Sequence, residues 1–167
     1  MQSRAFLVFV MVLPVFILYV SLASGKVIYN STPSYPTGLY FVEQQSAYTK
    51  GELVLICADG NKEFEIKNKG YVTASTTHCT NGFAPLIKKI VANKNDVVEV
   101  TQAGVYINKV KQSKSTILPQ VEACMGLHYL KDDAIWVMSD FNSASFDSRY
   151  FCELSINKII GKVRFFW

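Results

Sequence analysis

"APLIKKIVA", residues 84–92, sets two adjacent lysines inside an otherwise apolar run. Its length and β-branched content are those of a strand. Neighbouring side chains of a strand point to opposite faces, so one of Lys88 and Lys89 faces inward and the other outward. From this run alone the expected structure is an edge strand with two solvated lysines that guard against edge pairing. The other reading is a lysine embedded among apolar side chains, where burial lowers its pKa until it can act as a base.

The rest of the chain has the same texture. "GLYFVE", "ELVLICA", "DVVEVTQAGVYIN", "AIWVMSD" and "KIIGKVRFF" are short runs rich in β-branched and aromatic residues, the composition of strands. "EVTQAGVYIN" reads as a hairpin with Gln102-Ala103-Gly104 at its turn. Asp59-Gly60-Asn61 reads as a turn after "LVLICA", and Phe64 to Tyr71 offers at most one short helix. No other stretch after the N-terminal segment shows helical periodicity. A mostly β domain is expected.

The N-terminus differs. Ala5 to Ala23 runs about 19 residues without a charge, enough to cross a bilayer as a helix, and Pro14 is tolerable in such a helix. Residues 1–25 read as a membrane anchor and 26–167 as the folded domain. A cleavable signal peptide ending near "SLA" is the competing reading. Either way the domain lies outside the cytoplasm. Arg4 and Lys26 flank the segment, so loop charge alone sets no orientation.

Composition narrows the function classes. Half of the 167 residues are apolar, which supplies a core for one domain. The net charge of +4 is spread along the chain with no dense basic run, which argues against nucleic acid. Two histidines and no CxxC spacing argue against a metal site, and no cofactor is expected. Cys57, Cys79, Cys124 and Cys152 fit an oxidising compartment and up to two disulfides, with three connectivities open. Cys79 with Cys124 is the preferred pair, since both lie in loop-like regions. The adjacent His78-Cys79 pair reads as an oxidised cysteine rather than a thiol nucleophile with its base.

Two further stretches carry chemistry. "YNSTPSYPTGLYF", Tyr29 to Phe41, places Ser34 between two prolines. A nucleophilic serine needs a proton acceptor. GxSxG is absent and both histidines sit in polar, loop-like surroundings, so a Ser-His-Asp triad is unsupported. A neutral lysine is the alternative. "MSDFNSASFDSRYF", Met138 to Phe151, holds Asp147 two residues before Arg149, close enough for a bidentate pair that fixes a loop. Its plain reading is a polar surface loop with one ion pair.

Taken in order, the three stretches resemble the boxes of the serine-lysine signal peptidases of the type I (S26) family, and most closely the conjugative-transfer peptidases of the TraF type. "TPSYPTGLY", "PLIKKIVA" and "SFDSRYF" carry the resemblance. It implies that Ser34 is the nucleophile and Lys88 the general base, with Lys89 where the family usually has Arg. It implies that Thr32 helps the Ser34 N–H form an oxyanion hole and that Ser145 hydrogen-bonds the base. Asp147 and Arg149 would be a supporting pair, and Asp140 would open the last box. Three departures stand out: "KND", Lys94 to Asp96, replaces "PGD"; "SDF", Ser139 to Phe141, replaces "GDN"; and Cys152 replaces a glycine.

The fold so implied is a signal-peptidase-like (LexA/signal peptidase type) β-domain tethered by one N-terminal transmembrane helix. The implied enzyme lies in the bacterial inner membrane, single pass, with its catalytic domain in the periplasm. It would process a membrane-bound pilin-like precursor for type IV conjugative transfer, and some relatives join the product's ends into a circle. The alternatives are a general type I leader peptidase and a non-catalytic pilus-assembly protein.

Overall fold

The computed structural model of the chain describes residues 2–58, 78–80 and 82–167. Helix α1 covers Gln2–Ala23, 22 residues with Pro14 inside, or about 33 Å at the usual rise. Phe6, Phe9, Met11, Phe16 and Tyr19 on it are exposed. Over the side chains described, no helix is long and apolar enough to cross a membrane.

Eleven strands follow among the described residues: β1 (Val27–Asn30), β2 (Gly38–Glu43), β3 (Leu53–Ile56), β4 (Leu86–Ala92), β5 (Val97–Thr101), β6 (Gly104–Ile107), β7 (Val110–Lys111), β8 (Gly126–Tyr129), β9 (Ala134–Met138), β10 (Leu154–Ser155) and β11 (Ile159–Phe165). One short helix, α2 (Ser148–Phe151), lies between β9 and β10. Seven strands form one sheet in the order β1-β2-β11-β3-β4-β9-β10, and four form a second in the order β7-β6-β5-β8. The chain is thus mostly β, and each apolar run named above contributes a strand. The β5–β6 hairpin turns through Gln102 and Ala103, with Thr101 opposite Gly104. The turn at Asp59-Gly60-Asn61 and the helix at Phe64 to Tyr71 fall outside the described residues.

Strand β4 departs from its expected place. It is not an edge: β3 pairs along one side of it and β9 along the other. Leu86 and Ile90 enter one apolar cluster with Val54, Val137 and Tyr150, while Ile87 enters another with Tyr35, Leu55 and Val163. With both faces covered, Lys88 is only 1% exposed. The two lysines favour an edge in the sequence, and the pairing of β3 and β9 places the strand in the covered centre instead.

The disulfides also correct the expected pairing. Cys57 bonds Cys79, and Cys124 bonds Cys152, with Cα separations of 5.6 and 5.5 Å. Cys124 is brought to the end of α2 because its N–H donates to the Arg149 carbonyl at 2.7 Å. Cys152 and Asn95 have φ of 66° and 70°, so both departures from glycine-bearing motifs keep the left-handed backbone that glycine favours.

Candidate active site

Ser34 sits in the loop between β1 and β2, and Asn30 shapes that loop. The Asn30 Oδ1 accepts from the Thr32 N–H at 3.1 Å and the Thr32 hydroxyl at 2.8 Å. Its Nδ2 donates toward the carbonyls of Thr32, Tyr35 and Pro36 at 3.0 to 3.1 Å. Pro33 and Pro36 fix φ on either side of Ser34. Gly38, at φ 143°, ends the loop where an added Cβ would collide with the Trp167 carbonyl. That carbonyl is occupied in accepting the Leu39 N–H at 2.6 Å.

The last box docks onto this loop. Ser139 Oγ donates to the Ser34 carbonyl at 2.6 Å, and Asn142 Nδ2 donates to the Pro33 carbonyl at 3.1 Å. Ser145 Oγ donates to Ser34 Oγ at 3.1 Å. Ser34 is 9% exposed and Ser145 3%. Because Ser34 Oγ accepts from Ser145, its own proton remains free for another acceptor.

Asp147 and Arg149 organise the box from beneath. Asp147 caps α2 by accepting the Arg149 N–H, and its Oδ2 accepts the Ser139 N–H at 3.1 Å. The Arg149 guanidinium also reaches the carbonyls of Ser143 at 2.8 Å and Ser145 at 2.6 Å, and those of Lys114 and Thr116. Burial alone would lower the arginine's pKa, but the Asp147 carboxylate outweighs it and raises the value further. A charge buried this deeply is tolerable because nearly every donor is used.

Lys88 shares that interior. Burial pushes its pKa down to about 8; attraction to Asp147 opposes the fall and repulsion from Arg149 adds to it. The hydrogen bond recorded at Ser34 Oγ is with Ser145 rather than Lys88. Lys89 turns the other way, as strand alternation requires, and pairs with Asp140 at 2.7 Å. Asp140 is also the acceptor for the Tyr35 hydroxyl at 2.7 Å.

The fold therefore gathers Ser34, Lys88, Ser145, Asp147 and Arg149 into one buried region. Thr32 is beside it, but its hydroxyl proton is committed to Asn30 and must change acceptor to serve an oxyanion. Among the described residues, Ser145 bonds the nucleophile rather than Lys88. Three contributors went unread in the sequence: Asn30, Ser139 and Asn142. Asn30 has a local signal, since an Asn two residues before Thr32 is an Asx-turn pattern. Ser139 and Asn142 have none, because their partners lie more than a hundred residues away.

Chemically, a buried serine hydroxyl can attack a carbonyl when a neutral amine accepts its proton, and Lys88, with its pKa pushed down to about 8, is an amine of that kind. Comparison with known proteins identifies the family. The model of the family described as signal peptidase, peptidase S26, matches residues 1–167. The plasmid transfer protein TraF of Escherichia coli is 30% identical over 151 residues, covering 86% of this chain and 82% of that one. The conjugal transfer protein TraF of Agrobacterium tumefaciens (strain 15955) is 32% identical over 165 residues, covering 90% and 89%. A probable thylakoidal processing peptidase 2 of Arabidopsis thaliana is 32% identical over 82 residues, covering 48% and 22%. A signal peptidase I structure from Enterococcus faecalis V583 overlaps 71% of this chain and 98% of its own at TM-score 0.43 and 15% identity, too loose to add to the sequence match. By its full-length match, this chain belongs to the S26 signal peptidase family.

Proposed function

We propose that the chain is a membrane-anchored serine endopeptidase of the TraF type, in which Ser34 is the nucleophile and Lys88 the general base, and that it processes a pilin-like precursor for conjugative transfer. The observation that carries this reading is Lys88 itself: a lysine 1% exposed, within electrostatic reach of Asp147 and Arg149, with its pKa pushed down to about 8. A protein that only assembled a pilus would gain nothing from the cost of burying an ammonium. The apolar run from Ala5 to Ala23 would hold the domain at the inner membrane, on its periplasmic side, where the disulfides can form.

The proposed mechanism assigns these groups the following roles. Neutral Lys88 takes the Ser34 proton as Oγ attacks the scissile carbonyl. Ser145, already donating to that oxygen, steers its lone pairs. The Ser34 N–H and the Thr32 hydroxyl receive the oxyanion, each donor worth about 3 kcal/mol in comparable sites. Protonated Lys88 then gives its proton to the leaving amine, and returns to neutral to activate the water that releases the acyl-enzyme. A peptide amine in place of that water would close the product into a circle.

The test is cleavage of a co-expressed pilin precursor by wild type, Ser34→Ala, Lys88→Ala and Lys89→Ala. Loss in the first two, with slower but persisting cleavage in the third, is expected. Cleavage by Ser34→Ala would rule out this mechanism, and loss only in Lys89→Ala would move the base by one residue. Similarity to thylakoidal processing peptidases keeps a general leader peptidase as the second reading. It predicts that bulk secretion, rather than pilin maturation, fails in Ser34→Ala cells.

A further inference from the structure

Tyr35 and Lys89 are the residues that follow the proposed nucleophile and the proposed base. They meet on opposite oxygens of one carboxylate. Tyr35 Oη donates to Asp140 Oδ1 at 2.7 Å, and Lys89 Nζ binds Asp140 Oδ2 at 2.7 Å. The remaining polar contacts of the Tyr35 hydroxyl are longer, 3.4 Å to the Asp140 N–H and 3.4 Å to the Met138 carbonyl. The ring is 8% exposed, stacks on Phe141 at 6.1 Å between centroids, and shares an apolar cluster with Ile87 of β4.

Besides its local bonds to Asn30 and Tyr40, this loop is tied to Ser139, Asn142 and Ser145, all in the last box. Those bonds place Ser34 relative to the box. The box is itself held to β4, because β9 pairs with it and Met138 lies opposite Lys89. The Tyr35–Asp140–Lys89 connection adds a side-chain link between the residue after Ser34 and the residue after Lys88. Burial and the Asp140 carboxylate both push the Tyr35 pKa up, so the phenol stays a donor, while the Lys89 and Tyr35 hydrogen bonds outweigh burial and hold Asp140 below the usual carboxylate range.

We propose that Tyr35 is a positioning residue: through Asp140 and Lys89 it forms a strut that sets the separation of Ser34 and Lys88. Each end of the strut is one residue from a reacting atom. A misplacement of about 1 Å at such atoms can cost about a hundredfold in rate. The inference rests on the Ser34–Lys88 reading, and the two can fail separately.

The experiment uses the full-length protein in detergent and a synthetic peptide with alanines flanking one cleavable bond. Tyr35→Phe keeps the ring and its stacking on Phe141 and deletes only the link. The expected result is a fall in kcat of about tenfold or more with KM unchanged and the melting temperature held. The double variant Tyr35→Phe/Asp140→Asn should be no slower than the slower single one, since both cut the same strut. Tyr35→Phe with wild-type kcat, beside an inactive Ser34→Ala, would overturn the strut and leave the dyad standing. A loss in Tyr35→Phe that follows KM or the melting temperature would also overturn it. An active Ser34→Ala would instead remove the dyad on which it rests.

Discussion

Arg149 grips Asp147 with two hydrogen bonds, Nε to Oδ1 at 2.8 Å and Nη2 to Oδ2 at 2.9 Å, and neither side chain has any exposure. Taking away one partner strands the other charge in an apolar interior. Arg149→Met should therefore lose about 3–5 kcal/mol of stability in urea unfolding. Replacing both, as Asp147→Leu/Arg149→Met, should cost less than that single change. A single-variant loss below about 1 kcal/mol would show that water reaches the pair.

Activity should follow the ionisation of Lys88. Protonated lysine has no lone pair to accept the Ser34 proton, so kcat/KM should climb as pH rises and level off above about 8, where the buried amine is neutral. Initial rates across pH 6 to 10 with a peptide substrate check this. A profile flat through that midpoint would assign the limb to another group.

Lys88 should also cost stability. Its folded pKa of about 8 lies below the ordinary 10.5, so folding disfavours the protonated form. The cost is present in full below about pH 8, fades as pH rises toward 10.5 and is absent above it. Its size at neutral pH is about 3 kcal/mol. Lys88→Met should accordingly raise the melting temperature at pH 7 while abolishing cleavage, and the gain should shrink when the melts are repeated near pH 10. A destabilised Lys88→Met at pH 7 would contradict the sign.

The disulfide between Cys124 and Cys152 ties the end of the segment carrying Ser145, Asp147 and Arg149 to the start of β8. Replacing both cysteines with alanine should cost about 2–5 kcal/mol, read from thermal melts. Peptide cleavage should fall further than that loss of folded protein explains, because the segment that holds Ser34 loses its tether. Equal losses in both readouts would limit the bond to a structural role.

How much of this was legible before the fold depends on how local each cause is. The strands announced themselves through β-branched runs, and Gln102 and Ala103 marked a hairpin, because alternation and turn chemistry are decided within a few residues. Strand alternation alone left Lys88 against Lys89 open, and only the resemblance pointed to Lys88: alternation says that one faces inward, but only the neighbours β3 and β9 say that inward is buried on both sides. The cysteine pairing was misjudged because loop-like surroundings say nothing about which loops meet. The Ser139 contact to Ser34 is wholly tertiary, with no trace in either stretch alone. Asn30 could have been found, since its amide acts on residues two to six positions away.

The burial of Lys88 has a consequence for products as well as rates. In the proposed mechanism the amine that would activate the releasing nucleophile is 1% exposed before any substrate arrives, and a bound acyl chain would cover it further, which would limit the access of water. A peptide amine delivered by the substrate itself carries its own high effective concentration. If the chain also joins its product's ends, as proposed for the peptide-amine route, the ratio of circular to linear product would gauge local water activity, and lowering the solvent's water content should tilt that ratio without touching a single residue.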